Sequence, residues 1–145
     1  MRRSLPPLLA ATAATAALAG CGSPSADLFV VHRTGSTPGA RLTMLVGDGG
    51  AVTCNDGATK EITSDDLILA RKIARELNGK DDAHPGPAVD TVRLAPRPGS
   101  ILRYEIRSEK GRVAFADTSA GQPAVFYRAA KLVRDIARRV CGLPR

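Results

Sequence analysis

The chain has 145 residues, which is enough for one domain but too few for two of ordinary size. It contains no Trp, two Tyr and three Phe, so we expect an aliphatic core and no surface that stacks on sugars or bases. The formal net charge is +7. Residues 1–20 hold two of the 21 basic residues and none of the 14 acidic ones, so residues 21–145 carry +5. This excess is either compositional bias or a selected basic surface.

Residues 1–20 have the organisation of an export signal. Arg2 and Arg3 form a short positive segment, and an uncharged, Ala-rich apolar run follows over residues 5–18. This run is shorter than the roughly 20 residues that a membrane-spanning helix needs, so it indicates a signal peptide that is removed. The paired arginines leave twin-arginine export open as an alternative to the general route, although Pro6 and Pro7 depart from that pattern.

The segment Leu18-Ala19-Gly20-Cys21 resembles the lipobox of bacterial lipoproteins, with no departure from the pattern. The resemblance implies that Leu18 fills an apolar pocket of the signal peptidase and that the small Ala19 and Gly20 enter its active site. It further implies a diacylglycerol in thioether linkage on Cys21, often with another acyl chain on the new amino terminus. Each buried CH₂ adds about 0.8 kcal/mol, so several chains anchor firmly. An ordinary signal peptide followed by a chance cysteine is the alternative.

The lipid implies a location and a geometry. We expect an exported protein held on the extracytoplasmic side of the cell membrane. Residues 21–26 then comprise the lipidated cysteine and a short tether, and residues 27–145 form a single domain. The five residues 22–26 reach at most about 17 Å. The domain is therefore expected to lie close to the lipid headgroups.

The first half of this domain has the patterns of a small sheet followed by a helix. Apolar residues alternate over three predicted strands, residues 27–34, 41–46 and 51–54, and the glycine-rich residues 47–50 indicate a hairpin between the last two. A helix is predicted from Thr63 or Ser64 to Asn78-Gly79. Its apolar stripe comprises Ala70, Ile73, Ala74 and Leu77.

The second half repeats this order after a polar loop over residues 80–88. Strands are predicted over residues 89–94, over residues 101–107 and around Val113 and Phe115. The last helix is predicted to begin at residues 117–119, where Ser119 and Gln122 resemble a capping box and Pro123 fits the first turn, and to end at Cys141-Gly142. The predicted order is β-β-β-α-β-β-β-α, which favours an α+β fold with an antiparallel sheet and helices packed on one face.

Cys54 and Cys141 are the cysteines that remain once Cys21 carries lipid. An even pair in an oxidising compartment predicts a disulfide. The chain-entropy model assigns about 4–5 kcal/mol to a loop of this length. The alternatives are two buried free thiols or a metal site, and the second lacks a CxxC or Cys/His cluster to support it.

No recognised catalytic pattern occurs. GxSxG, HExxH, SxxK and P-loop motifs are missing, and both non-lipid cysteines are expected to be paired. His32 falls in a strand and is expected to be structural. Asp81, Asp82 and His84 share a loop and carry metal-binding groups, but their spacing matches no metal motif, so a solvated loop is favoured. We expect no enzymatic activity, no cofactor and no metal.

The last predicted helix has a strongly basic side formed by Arg128, Lys131, Arg134, Arg138 and Arg139. Two interpretations remain open. One is a solvated polar face, and the other is contact with anionic lipid or an anionic envelope polymer, where each cation near the surface adds about 1 kcal/mol. Nucleic acid is not expected as a partner outside the cell.

Taken together with the lipobox, the runs at residues 40–43 (ARLT), 115–119 (FADTS) and 138–143 (RRVCGL) resemble a group of small actinobacterial lipoproteins. That resemblance implies class and location and assigns no catalytic residue. The expected function is a non-enzymatic binding or accessory domain with an unknown protein or polymer partner. The alternative is a protease-inhibitor-like module similar in length and strand content to the secreted subtilisin inhibitors, although their two-disulfide framework and exposed inhibitory loop are not recognisable in this sequence. An enzyme whose site has no recognisable motif is the third hypothesis.

Overall fold

The structure is a computed structural model that describes residues 26–144. The predicted signal peptide and Cys21 therefore lie outside the described residues, as do the recognition residues Leu18, Ala19 and Gly20. Neither helix in the described range is both long enough and apolar enough to cross a membrane.

Eight strands and two helices follow one another within residues 26–144. They are β1 (Asp27–Gly35), β2 (Leu42–Gly47), β3 (Ala51–Cys54), β4 (Lys60–Glu61), α1 (Ser64–Asn78), β5 (Gly79–Asp81), β6 (His84–Pro85), β7 (Leu102–Ser108), β8 (Gly111–Ala116) and α2 (Ala124–Arg139). Six strands form one antiparallel sheet in the order β4-β3-β2-β1-β7-β8, and β5 pairs with β6 in a small hairpin. The predicted α+β class, with an antiparallel sheet and two helices, is confirmed.

One face of the sheet carries the core. Along β1 the side chains of Phe29 and Val31 are buried, whereas His32 on the opposite face is exposed. The buried stripe of α1 is the predicted one, Ala70, Ile73, Ala74 and Leu77. The alternation of period two in the strands and the helical stripe therefore meet in a single apolar layer.

The ends of α1 follow from local chemistry. The Thr63 side chain accepts a hydrogen bond from the Asp66 amide at 3.2 Å, and Asp65 and Asp66 lie in the first turn, where the helix dipole favours negative charge. Gly79 ends the helix with φ of 81°, a conformation that disfavours residues with a Cβ. The prediction of this helix from its caps and stripe is confirmed.

The two helices run antiparallel to each other across the sheet. Arg139 near the end of α2 binds Asp66 near the start of α1 at 3.0 Å, and Arg128 near the start of α2 binds Glu76 near the end of α1. At one end of the sheet, α1 contacts the turns, because Arg71 binds Asp48 and Asn78 binds Ser108. The helix α2 lies over the other half.

The predicted strand over residues 89–94 is wrong. Residues 86–92 form turns, with hydrogen bonds from the Val89 amide to Gly86 and from the Val92 amide to Pro87, and Thr91 has φ of 50°. Only an isolated parallel bridge joins Arg93 to Ala114 on the edge of β8. The β-branched residues here satisfied a strand pattern, but their amides bond locally after the Gly-Pro pair. The short hairpin of β5 and β6 lies mostly within residues 80–88, where the sequence predicted a polar loop, and the two-residue strand β4 was not predicted.

The predicted capping box before α2 is also wrong. The helix begins at Ala124 after Pro123, and no side chain caps it. Ser119 instead accepts a hydrogen bond from the Ala116 amide and donates toward the Ala95 carbonyl, while Gln122 donates to the Ala116 carbonyl. Both side chains stabilise the loop that joins β8 to α2, because the buried carbonyls there need donors.

A disulfide joins Cys54 at the end of β3 to Cys141 just after α2, as predicted. The two Cα atoms lie 5.9 Å apart across a sequence separation of 87 residues. The bond therefore links the end of the second helix to the β4 side of the sheet.

Candidate functional site

Arg33 is the most unusual buried residue in the described part of the chain. It follows Phe29 and Val31 on the inward face of β1, and it is only 1% exposed. In the sheet register it lies opposite Leu42 on β2 and Tyr104 on β7. A guanidinium therefore occupies a position that the strand pattern reserves for an apolar side chain.

Backbone carbonyls, and not carboxylates, hold this guanidinium. Its Nε donates to the Ala40 carbonyl at 2.9 Å and its Nη2 donates to the Gly39 carbonyl at 2.8 Å. Within residues 26–144, Arg33 forms no ion pair, and no hydrogen bond reaches its Nη1. Burial lowers the pKa of Arg33, but an arginine remains protonated in proteins. The carbonyls thus fix the orientation of the charge, and no carboxylate of residues 26–144 is paired with it.

A cavity of about 450 Å³ opens beside Arg33. Its lining combines three guanidinium groups, two carboxylates and several apolar side chains, contributed by Arg33, Thr37, Ile101, Leu102, Asp117, Arg134, Asp135, Arg138 and Pro144. We call this cavity the Arg33 pocket. It brings together the end of β1, the start of β7 and the C-terminal half of α2.

Other donors already engage the two carboxylates of the Arg33 pocket. Asp117 accepts hydrogen bonds from the amides of Ile101 and Leu102 at 3.1–3.2 Å. Asp135 binds the Lys131 ammonium at 2.8 Å, and this hydrogen bond lowers the pKa of Asp135. Neither acid is therefore the direct partner of Arg33.

Arg134 of the pocket lining contacts Tyr104, which lies opposite Arg33 in the sheet register. The Arg134 Nη1 donates to the Tyr104 hydroxyl at 3.5 Å, which is the weak limit of a hydrogen bond. Tyr104 is 2% exposed, and burial raises its pKa, whereas the hydrogen bond from Arg134 lowers it. Arg134 itself is exposed on α2, so it retains donors that face the pocket opening.

The predicted basic side of α2 is largely paired. Arg128 binds Glu76, Arg139 binds Asp66, and Lys131 and Arg138 both approach Asp135. Among these five cations, only Arg134 forms no ion pair with a carboxylate of residues 26–144. Two of the predicted residues, Arg134 and Arg138, line the Arg33 pocket, and the other three lie outside it.

The loop that carries metal-binding groups is exposed. His84 binds Asp81 through both its amide and its Nδ1, at 2.9 and 2.8 Å. Asp81 and Asp82 border a shallow depression that His84 does not line. Over residues 26–144, no group of three or more His, Cys, Asp or Glu side chains has a metal-binding arrangement. The Asp81–His84 contact closes the turn between β5 and β6.

Sequence reasoning missed Arg33, although a signal was present. Phe29, Val31 and Arg33 share one face of an alternating strand, so the pattern predicts that the Arg33 side chain points into the core. The sequence could predict neither the cavity nor the proximity of Arg33 to Arg134, because both depend on how α2 crosses the sheet. Comparison of the chain with protein-family models, with curated proteins and with solved structures gives no match.

Proposed function

We propose that this chain is a lipid-anchored protein of the bacterial cell envelope whose α+β domain acts as a non-enzymatic binding or accessory module near the membrane surface. The observation that carries the proposal is the segment Leu18-Ala19-Gly20-Cys21 placed directly before the domain. The first strand begins at Asp27, so only a few residues separate the lipidated cysteine from the sheet. The Cys54–Cys141 disulfide supports export, because such bonds persist in oxidising compartments.

The point of attachment suggests how the domain is oriented. Asp27 lies opposite Gly47 in the register of β1 and β2, and the Asp48 amide donates to the Ala26 carbonyl at 2.8 Å. The tether therefore enters at the end of the sheet where α1 contacts the turns through Arg71. With a reach of about 17 Å for the tether, this end faces the bilayer in our proposal.

The Arg33 pocket then faces away from the bilayer. Six strand steps separate Asp27 from Arg33, which corresponds to about 20 Å along β1. Since the C-terminal half of α2 lies at the same far end, its basic residues would meet an anionic envelope polymer or a soluble partner more readily than the headgroups. The structure thus favours the second of the two anionic contacts expected for α2.

Lipidation is tested in the full chain produced in a bacterial host and labelled with a radioactive fatty acid. We expect label on the wild-type protein and recovery in the membrane fraction. Cys21→Ser is expected to lose both, because the thioether cannot form, and Ser25→Ala in the same tether should keep both. Label on the Cys21→Ser protein, or a wild-type protein recovered free in the medium, would overturn the proposal.

One observation favours the second candidate, a protease-inhibitor-like module. Residues 96–99 form an exposed loop with Arg97 between two prolines. Thr118 braces this loop, accepting from the Arg97 amide at 3.0 Å and donating to the Arg97 carbonyl at 3.1 Å. A preorganised exposed loop is what substrate-like inhibition requires. Full activity of trypsin-like and subtilisin-like proteases at stoichiometric protein concentration would remove this candidate.

A further inference from the structure

We infer that the Arg33 pocket binds a carboxylate group, presented by a small organic acid or by the C-terminus of a peptide. This inference rests on the proposed binding role of the domain and names the ligand class that the role implies. Its basis is the juxtaposition of a buried guanidinium, two further guanidinium groups of α2 and an apolar wall around one cavity.

The buried charge of Arg33 is the first step. Removing an ion from water is costly, and proteins offset that cost with a partner of opposite charge. Here the carbonyls of Gly39 and Ala40 accept hydrogen bonds from two guanidinium nitrogens of Arg33 and fix the plane of the guanidinium. A guanidinium that is already oriented loses less side-chain entropy when it binds a ligand. An oxyanion in the cavity would supply the missing counter-charge.

The balance of charge selects a monoanion. Within residues 26–144, three guanidinium groups and two carboxylates line the pocket, so the lining itself carries one net positive charge. A dianion such as a phosphate monoester would meet the negative charges of Asp117 and Asp135 as well as the arginines. A carboxylate carries the single charge that matches, and its planar oxygens suit the guanidinium fork.

The apolar wall points to an organic acid. Ile101, Leu102 and Pro144 line the same cavity, and Ile101 is 48% exposed. A cavity of about 450 Å³ accommodates a ligand body beyond the anionic group. A free acid with an apolar substituent and the carboxyl terminus of an apolar peptide both fit this description.

The test is titration calorimetry on the full chain in a non-ionic detergent. The probes are benzoate and its neutral analogue benzamide, and an N-acetylated alanine dipeptide with a free or an amidated carboxyl terminus. We expect benzoate, the free dipeptide or both to bind with a Kd on the order of 1 mM or below, and both neutral analogues to fail. Which of the two acids binds more tightly identifies the source of the carboxylate. Inorganic phosphate should bind at least several-fold more weakly.

The key variant is Arg134→Gln, since Arg134 is exposed and its loss leaves the core intact. We expect affinity to fall roughly ten-fold, the loss typical of a charge-assisted hydrogen bond. Arg107→Gln is the matched control, because it removes the same charge from the exposed face of the sheet and should leave affinity unchanged. The Arg33→Met variant removes the buried guanidinium, and circular dichroism confirms whether this variant folds.

Three results would overturn the inference: neither carboxylate binds, phosphate binds as tightly as the better carboxylate, or Arg107→Gln weakens binding as much as Arg134→Gln. None of them bears on lipidation. The Cys21→Ser chain is expected to bind carboxylates like the wild type, so the two proposals fail independently.

Discussion

Arg33 and Tyr104 lie opposite each other on adjacent strands, and both are buried on the face of the sheet that the helices cover. Tyr104 also stacks on Phe115 at a ring separation of 5.2 Å, and Phe115 stacks on Phe126 of α2 at 4.5 Å. Beside Arg33, Tyr104 therefore belongs to an aromatic layer that reaches from β7 through β8 to α2. Three of the five aromatic side chains of the protein form this layer.

The first prediction concerns the ionisation of Tyr104. Burial raises its pKa above the ordinary value of 10.0. In the Tyr127→Phe background, where Tyr104 is the remaining tyrosine, the midpoint of the phenolate absorbance titration should lie above the ordinary tyrosine pKa of 10.0. Adding Arg134→Gln should shift the titration still higher, because the hydrogen bond from Arg134 lowers the pKa of Tyr104. A shift to lower pH would contradict the assigned contact.

The same shift has a consequence for stability. A pKa that is raised on folding contributes stability that is complete below pH 10 and is lost as the pH rises through the folded-state pKa, because the unfolded chain binds fewer protons there. Urea midpoints should therefore fall as the pH rises above about 10, the ordinary tyrosine pKa. Tyr104→Phe should reduce this dependence.

The second prediction concerns the Cys54–Cys141 disulfide. Replacing both cysteines by Ser should lower the free energy of unfolding by about 3–5 kcal/mol, because the bond constrains a long loop in the unfolded chain. Thermal unfolding of the variant, compared with the wild type under oxidising and reducing conditions, measures the effect. Reduction should destabilise the wild type and leave the double variant unchanged.

The third prediction compares two glycines with similar positive φ angles. Gly79 and Gly99 have φ of 81° and 86°. A Cβ at Gly99 meets nothing within 4 Å, whereas a Cβ at Gly79 would overlap the backbone of His84 and Gly86. Gly99→Ala should cost about 1 kcal/mol from the left-handed conformation alone, and Gly79→Ala about 3 kcal/mol or more. Equal denaturant midpoints for the two variants would disprove the steric argument.

The fourth prediction concerns the ion pair between the helices. Glu76→Gln should lower the free energy of unfolding by about 1–2 kcal/mol, because Arg128 is half-buried and its Nε is a buried donor without a partner within residues 26–144. Glu105→Gln is the control, since its contact with Arg112 spans 3.7 Å on an exposed face and should be worth about 0.5 kcal/mol or less. Chemical denaturation of both variants gives their free energies of unfolding and so compares the half-buried ion pair with the exposed one.

Elements with purely local causes could be predicted. The helix α1 has its cap at Thr63, its stop at Gly79 and its apolar stripe within one stretch of sequence, and all three are observed. The strand predicted over residues 89–94 was wrong, because the β-branched composition there satisfies a strand pattern while the amides form hydrogen bonds within turns. The capping box predicted at Ser119 and Gln122 was wrong for a related reason. Both side chains donate hydrogen bonds to loop carbonyls, those of Ala95 and Ala116, and do not cap the helix.

The sequence by itself determined the α+β class, the helix and strand alternation and the pairing of Cys54 with Cys141, because periodicity and cysteine number are properties of the chain alone. It also supports the lipid anchor expected at Cys21, which remains a proposal. Only the tertiary structure decided that the basic residues of α2 are mostly paired and that Arg134 converges on Arg33. Arg33 and Arg134 lie about a hundred positions apart in the chain, and the crossing of α2 over the sheet, which no local pattern encodes, places them together.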